Sequence, residues 1–108
     1  MAEVIGVVDI VVAAGREQAL KDAVEACARG THAEPGCLTY ALHVDGANPL
    51  HFVLIERWRS QEDLDAHMTQ PYVADLFAFA AGEGNLTAAP SLAFVSALGL
   101  GDPAKASL

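Results

Sequence analysis

Val4-Ile5-Gly6-Val7-Val8-Asp9-Ile10-Val11-Val12-Ala13-Ala14 is the stretch that decides how this chain folds. Seven of its eleven residues are β-branched valine or isoleucine, which marks a strand. Side chains alternate along a strand, so Val4, Val8, Ile10 and Val12 project to one side and Ile5, Val7, Asp9 and Val11 to the other. Apart from Asp9 both sides are apolar, which is the pattern of a strand covered on both faces.

Gly15 breaks the run, and residues 16–28 are predicted as a helix with Leu20, Ala23, Val24 and Cys27 on one stripe. Gly30 is the expected stop, and Glu34-Pro35-Gly36 is a turn signal. Residues 37–44 form a second strand, with Leu38, Tyr40, Leu42 and Val44 sharing a face. A hairpin-like loop at residues 45–49 leads to a third strand over 51–58, with Phe52, Leu54, Glu56 and Trp58 on one face. Ser60 can cap a second helix with Asp63 as its capping-box partner. Leu64, His67 and Met68 line the inward side of that helix. Pro71 interrupts it and fits the first turn of a continuing helix carrying Val73, Leu76 and Phe77. Residues 82–90 are a loop, 92–98 a fourth strand, and the tail from Gly99 is expected to fray.

The order β-α-β-β-α-β is the ferredoxin-like plan, an α+β fold in one domain spanning 1–108. Its helices cover one face of the sheet, so the second apolar face of the first strand must meet something else. Another sheet, from a second subunit, is the simplest candidate. Composition points the same way. Hydrophobic residues make up 53% of the 108 without counting glycine, and charged residues only 19%. Soluble domains reach roughly 45–50% apolar with glycine included. A homodimer would hide the excess.

The net charge of −8, with only six Lys and Arg, argues against nucleic acid and against anionic membrane surfaces. No uninterrupted apolar run is long enough for a transmembrane helix. The opening Met1-Ala2-Glu3 lacks a basic leader, and Cys27 and Cys37 form neither a disulfide framework nor a CxxC site. The expected location is the cytoplasm. His32, His43, His51 and His67 have no metal-ligand spacing, and phosphate-binding glycine loops are absent.

Six residues are candidates for chemistry. Glu56 interrupts an apolar strand face, so it is either a base or substrate-orienting acceptor, or a structural partner of the Glu34-Pro35-Gly36 turn. Trp58 on the same face can stack on an aromatic ligand or simply pack. Tyr40 can orient a ligand with its hydroxyl or serve the core. His67, inward on its helix, can shuttle a proton, or be a core histidine bonded to backbone or to Glu56. Asp9 can line a cavity or pair across a subunit interface, and Tyr72 can close one end of a pocket.

The blocks Glu34-Pro35-Gly36-Cys37-Leu38-x-Tyr40, Glu56-x-Trp58-x-Ser60, and His67 followed by Pro71 resemble the antibiotic biosynthesis monooxygenase family over nearly the whole chain. The family includes quinol monooxygenase-like proteins and oxygenases of polyketide tailoring. The resemblance implies a dimeric α/β barrel of two ferredoxin-like sheets. It also implies oxidation of a small phenolic or quinol-type aromatic by O₂, with no flavin, metal or haem, in a cavity between sheet and helices. His67 and Glu56 would then be catalytic, and Trp58, Tyr40, Tyr72 and Asp9 would contact substrate. In the haem-degrading branch a histidine ligates iron where this chain has Phe77, which argues against that activity. Many quinol monooxygenase-like members carry a histidine directly after the helix proline, where Tyr72 stands here. The alternatives are an isomerase acting on a small oxygenated metabolite and a non-enzymatic small-molecule-binding dimer.

Overall fold

The two-sided strand lies inside the sheet. β1 (Val4–Val11) pairs antiparallel with β3 (Asn48–Trp58) on one side and with β4 (Ser91–Val95) on the other. β2 (Cys37–Asp45) pairs antiparallel with β3, giving the order β2-β3-β1-β4. α1 (Glu17–Thr31), α2 (Gln61–Met68) and α3 (Pro71–Ala81) complete the ferredoxin-like α+β fold. The computed structural model describes residues 2–108. Met1, where the reading of a leaderless start begins, lies outside them.

The core sits between the sheet and the helices. Val8, Ile10 and Val12 from the β1 segment meet Phe52, Leu54 and Trp58 from β3, with Leu20, Val24 and Cys27 of α1 above them. Leu64 and Val73 bring in α2 and α3. Ser60 caps α2 by accepting from the Asp63 backbone N–H at 3.2 Å. Pro71 starts α3, where its missing N–H costs no helical hydrogen bond. Among the described residues, no helix is long and apolar enough to cross a membrane.

Two local expectations are corrected. Cys37 opposes Trp58 while Thr39 opposes Arg57, so a β-bulge absorbs Leu38. The extra residue shifts the alternation: Cys37, not Leu38, packs on the core with Tyr40, and Leu38 is exposed. Gly30 does not end α1, which continues to Thr31. A Cβ at Gly30 would lie 2.5 Å from the Tyr72 ring, so this glycine permits close packing of α1 against α3.

Among the described residues, no helix covers the other face of the sheet. Val7, Val53 and Ile55 are half-buried there, and Ala41 and Ala93 continue the apolar strip. At one end Arg57 donates to both carboxylate oxygens of Glu3, at 3.0 and 2.8 Å. Past β4 the chain turns at Asp102, and Ser107 and Leu108 border a cleft shared with Ile5 and Arg57.

At the opposite end His51 bridges two acids. Its Nε2 lies 2.7 Å from Asp9 Oδ1 and its Nδ1 2.9 Å from Asp45 Oδ2. A neutral imidazole has one N–H, whereas two carboxylates call for two donors. Hydrogen bonds to Asp45 and then Asp9 accordingly raise the His51 pKa above its ordinary 6.5. Bonds from the Ala47 backbone and from His51 hold Asp45 below its ordinary 3.8.

Two predictions follow from this packing. Gly30→Ala should lower the urea midpoint, because overpacking against Tyr72, at about 1–3 kcal/mol, outweighs the roughly 1 kcal/mol of helix propensity gained. A raised midpoint would show that the ring yields freely. For His51, a raised folded-state pKa means stabilisation that is complete below 6.5 and lost as pH climbs through the raised value. The Tm of the wild-type protein should therefore fall relative to His51→Gln as pH rises above 6.5 through the raised value, and parallel Tm profiles would refute it.

Candidate functional site

The site begins at the turn between α1 and β2. The Cys37 N–H donates to the Glu34 carbonyl at 3.1 Å, closing a β-turn around Pro35 and Gly36. The Arg59 N–H donates to the Gly36 carbonyl at 2.9 Å, tying the turn to the end of β3. A Cβ at Gly36 would collide with the Asp63 side chain, so only glycine lets the turn sit this close to α2. The Glu34 carboxylate is thereby held at the edge of the core.

His67 comes from the last turn of α2 and is 2% exposed. Its Nδ1 lies 2.8 Å from Glu34 Oε2, and the Tyr72 hydroxyl donates to the same oxygen at 2.8 Å. The other ring nitrogen, Nε2, lies 3.9 Å from Glu56 Oε1. The buried Trp58 indole donates to that Glu56 oxygen at 2.9 Å. Trp58 also packs on the imidazole at 4.4 Å between ring centroids, and Tyr40 meets it edge-on at 5.5 Å. Two carboxylates and three aromatic rings therefore surround one buried histidine.

Burial pushes the Glu56 carboxyl up from the ordinary carboxylate range, and the negative charge of Glu34 adds to this. The Trp58 hydrogen bond and His67 pull it part of the way back. Burial and a hydrogen bond with the Cys27 sulfur, 3.3 Å away, push the Tyr40 phenol well above its usual value. Burial and the Glu34 bond push Tyr72 up to about 12. Both phenols are thus neutral near pH 7, and Tyr72 keeps the proton it donates to Glu34.

A cavity of about 50 Å³ lies beside this cluster, between the sheet and α2–α3. Glu56, His67 and Tyr40 are its polar-bearing side chains, and Val8, Ile10, Leu54, Val73 and Leu76 represent its apolar walls. Met68, Phe77, Leu92 and Phe94 also line it while remaining exposed, so they form its mouth. Among the described residues, no lysine or arginine lines the cavity. Ligand pockets generally hold roughly 300–1,000 Å³, whereas a water needs about 10–15 Å³. As it stands the cavity can hold dioxygen or a few waters, and an aromatic ring would have to displace the mouth side chains.

The structure gathers five of the six sequence candidates, in differing roles. His67, Glu56 and Tyr40 line the cavity. Trp58 and Tyr72, expected to contact substrate, stand behind His67 instead, one against its ring and Glu56, the other on Glu34. Asp9 is on the opposite face of the sheet, bound to His51, because Val8 and Ile10 take the cavity side of β1 and alternation sends Asp9 away. Glu34 entered the sequence reading only through its turn. The acid directly before Pro35-Gly36 was the available signal, but nothing local shows that His67, 33 positions on, folds against it. Among the described residues, no cluster of three or more His, Cys, Asp or Glu can hold a metal ion.

Residues 3–78 match the family model for antibiotic biosynthesis monooxygenase. A search of curated proteins gave no match. Among solved structures, PA3566 from Pseudomonas aeruginosa is 27% identical, with a TM-score of 0.76 over 91% of this chain and 96% of that one. Rv0793 from Mycobacterium tuberculosis is 25% identical, with a TM-score of 0.79 over 90% and 96%. A structure described as an antibiotic biosynthesis monooxygenase is 22% identical, with a TM-score of 0.77 over 88% and 98%. The family model spans well over half of the chain and includes the turn, the third strand and the helix that carry Glu34, Glu56 and His67, so this protein belongs to the antibiotic biosynthesis monooxygenase family.

Proposed function

We propose that this protein is a cofactor-independent monooxygenase that oxidises a small phenolic or quinol-type aromatic with O₂. One observation carries the reading: an imidazole and a carboxylate with a raised pKa stand together where an otherwise apolar cavity meets the core. Such a cavity takes an aromatic body and presents its hydroxyl to a base. Family membership supports the same reaction class.

In this reading the His67 imidazole removes the hydroxyl proton of the substrate, and Glu56 accepts a hydrogen bond from, or shares a proton with, the same oxygen. The phenolate then gives one electron to O₂. Superoxide and the aryloxyl radical join, forming a C–O bond at the ring carbon para to the hydroxyl. His67 returns its proton to the peroxide. Loss of the proton on that carbon, with cleavage of the O–O bond, leaves a quinone and water. For 1-naphthol the balance is one naphthol and one O₂ giving one 1,4-naphthoquinone and one water. The apolar walls keep bulk water from the peroxide. Trp58 confines the imidazole by packing, and Tyr40 both packs on the imidazole edge and lines the cavity, where its ring meets the substrate.

The limited room of the cavity favours a second reading, a non-enzymatic dimer that binds small molecules and turns nothing over. An isomerase of a small oxygenated metabolite has less support, since among the described residues no cation lines the cavity to hold an anionic group of such a substrate. Anaerobic binding of 1-naphthol followed by admission of ¹⁸O₂ separates the first two. Turnover should place one labelled atom in the quinone and one in water, without added metal or flavin. His67→Ala should lower kcat by about 10²–10⁴-fold, the usual contribution of a positioned base. Binding without turnover would leave only the second reading.

The uncovered sheet face supports a homodimer, with the Val7, Val53 and Ile55 strip of one subunit against that of a second copy. A second copy of this chain offers the same apolar strip, as a two-fold interface requires. Ile55→Asp, which leaves the cavity face untouched, should convert a dimer to a monomer by light scattering. A wild-type monomer at micromolar concentration would refute the assembly.

A further inference from the structure

We propose that Glu34 is the positioning residue of this site: anchored by Tyr72, its carboxylate keeps a proton on His67 Nδ1 and leaves Nε2 as the basic nitrogen on the cavity side. The inference rests on the reading of His67 as the base, and it adds what makes that base competent.

The argument is geometric. An imidazole nitrogen 2.8 Å from a carboxylate oxygen must carry the hydrogen, since two lone pairs at that distance repel. The neutral ring has only one such hydrogen, so Nδ1–H leaves Nε2 bare. The opposite tautomer would aim an N–H at Glu56 across 3.9 Å, too long for a hydrogen bond, and would lose the short one. Glu34 therefore outweighs Glu56 in choosing the tautomer, although both are acids beside the same ring.

Glu34 is itself tightly held. The turn hydrogen bond from Cys37, the bond from Arg59 to Gly36 and the close contact of Gly36 with Asp63 fix its backbone. The Tyr72 hydroxyl donates to the same oxygen that receives His67, so that oxygen has two donors and stays an acceptor. Tyr72 in turn reaches Glu34 only because Gly30 lets its ring lie against α1. When His67 takes a substrate proton and becomes imidazolium, the positive charge forms beside the Glu34 carboxylate, which stabilises it. Glu34 touches neither the cavity nor the substrate, so its effect passes through His67.

Long-range ¹H–¹⁵N correlation spectra of the ¹⁵N-labelled protein read the tautomer directly, without any substrate. In its neutral form, wild-type His67 should show Nδ1 protonated and Nε2 bare. In Glu34→Gln the side-chain carbonyl can still accept, so the tautomer should persist. The lost charge should lower kcat for 1-naphthol, because the imidazolium that forms on proton transfer no longer has a carboxylate beside it. In Glu34→Leu the tautomer should mix, and kcat should fall by at least tenfold with KM little changed, the ceiling being roughly the 10²–10⁴-fold worth of the base. Tyr72→Phe, which keeps the ring over Gly30, serves as the milder variant if Glu34→Leu does not fold, and should give a smaller fall in kcat with the ring of His67 unmoved. An Nε2–H tautomer in the wild type, an unaltered tautomer in Glu34→Leu, or an unaltered kcat across these variants would overturn the proposal. Tautomer control by Glu34 in a protein that oxidises no phenol would uphold the positioning of His67 and count against the oxygenase reading alone.

Discussion

The Glu34 carboxylate is the point on which the rest of the site depends. One of its oxygens receives both His67 from α2 and Tyr72 from α3, while its backbone belongs to the turn between α1 and β2. A charged acceptor bonded by two buried or partly buried donors is costly to leave unmet, so the three helices and the turn are held in one arrangement. The glycines around it serve this convergence. Gly30 lets Tyr72 approach α1, and Gly36 lets the turn approach α2. In each case a side chain would occupy the space that brings a donor or the acceptor into place.

Electrostatics around His67 are graded. Glu34 lies at hydrogen-bond distance and Glu56 more than an ångström farther. Burial makes ionisation of Glu56 harder, and the Trp58 indole partly offsets this. Two acids that look alike in sequence therefore differ in role because their surroundings differ, one holding a proton donor and the other facing an apolar cavity. Among the described residues, no cation lines the cavity to balance an anionic ligand.

The two faces of the sheet divide the work. The face toward the helices carries the core and the cavity. The other carries an apolar strip bounded by the Arg57–Glu3 pair and by the His51–Asp9–Asp45 group. Asp9 shows how strictly alternation enforces that division. It sits between Val8 and Ile10, both of which line the cavity, and still points to the opposite side.

The sequence by itself determined the element order, the ferredoxin-like plan, the capped start of α2 at Ser60, the helix restart at Pro71 and the two apolar faces of β1. Each of these follows from local periodicity or local backbone chemistry, which a short window contains. Alternation along β3 also made Glu56 and Trp58 neighbours on one face, and the helical stripe turned His67 inward. Tertiary structure decided the rest. The bulge at Leu38 put Cys37 beside Tyr40, and that depends on pairing with a distant strand. Gly30 looked like a stop because nothing local reveals Tyr72 packing against it. Tyr72 and Glu34 became partners in holding His67 because hydrogen bonds between residues 33 and 38 positions apart are made only when the helices close over the sheet, and Trp58 stands behind the imidazole because the same closure lays His67 on its ring.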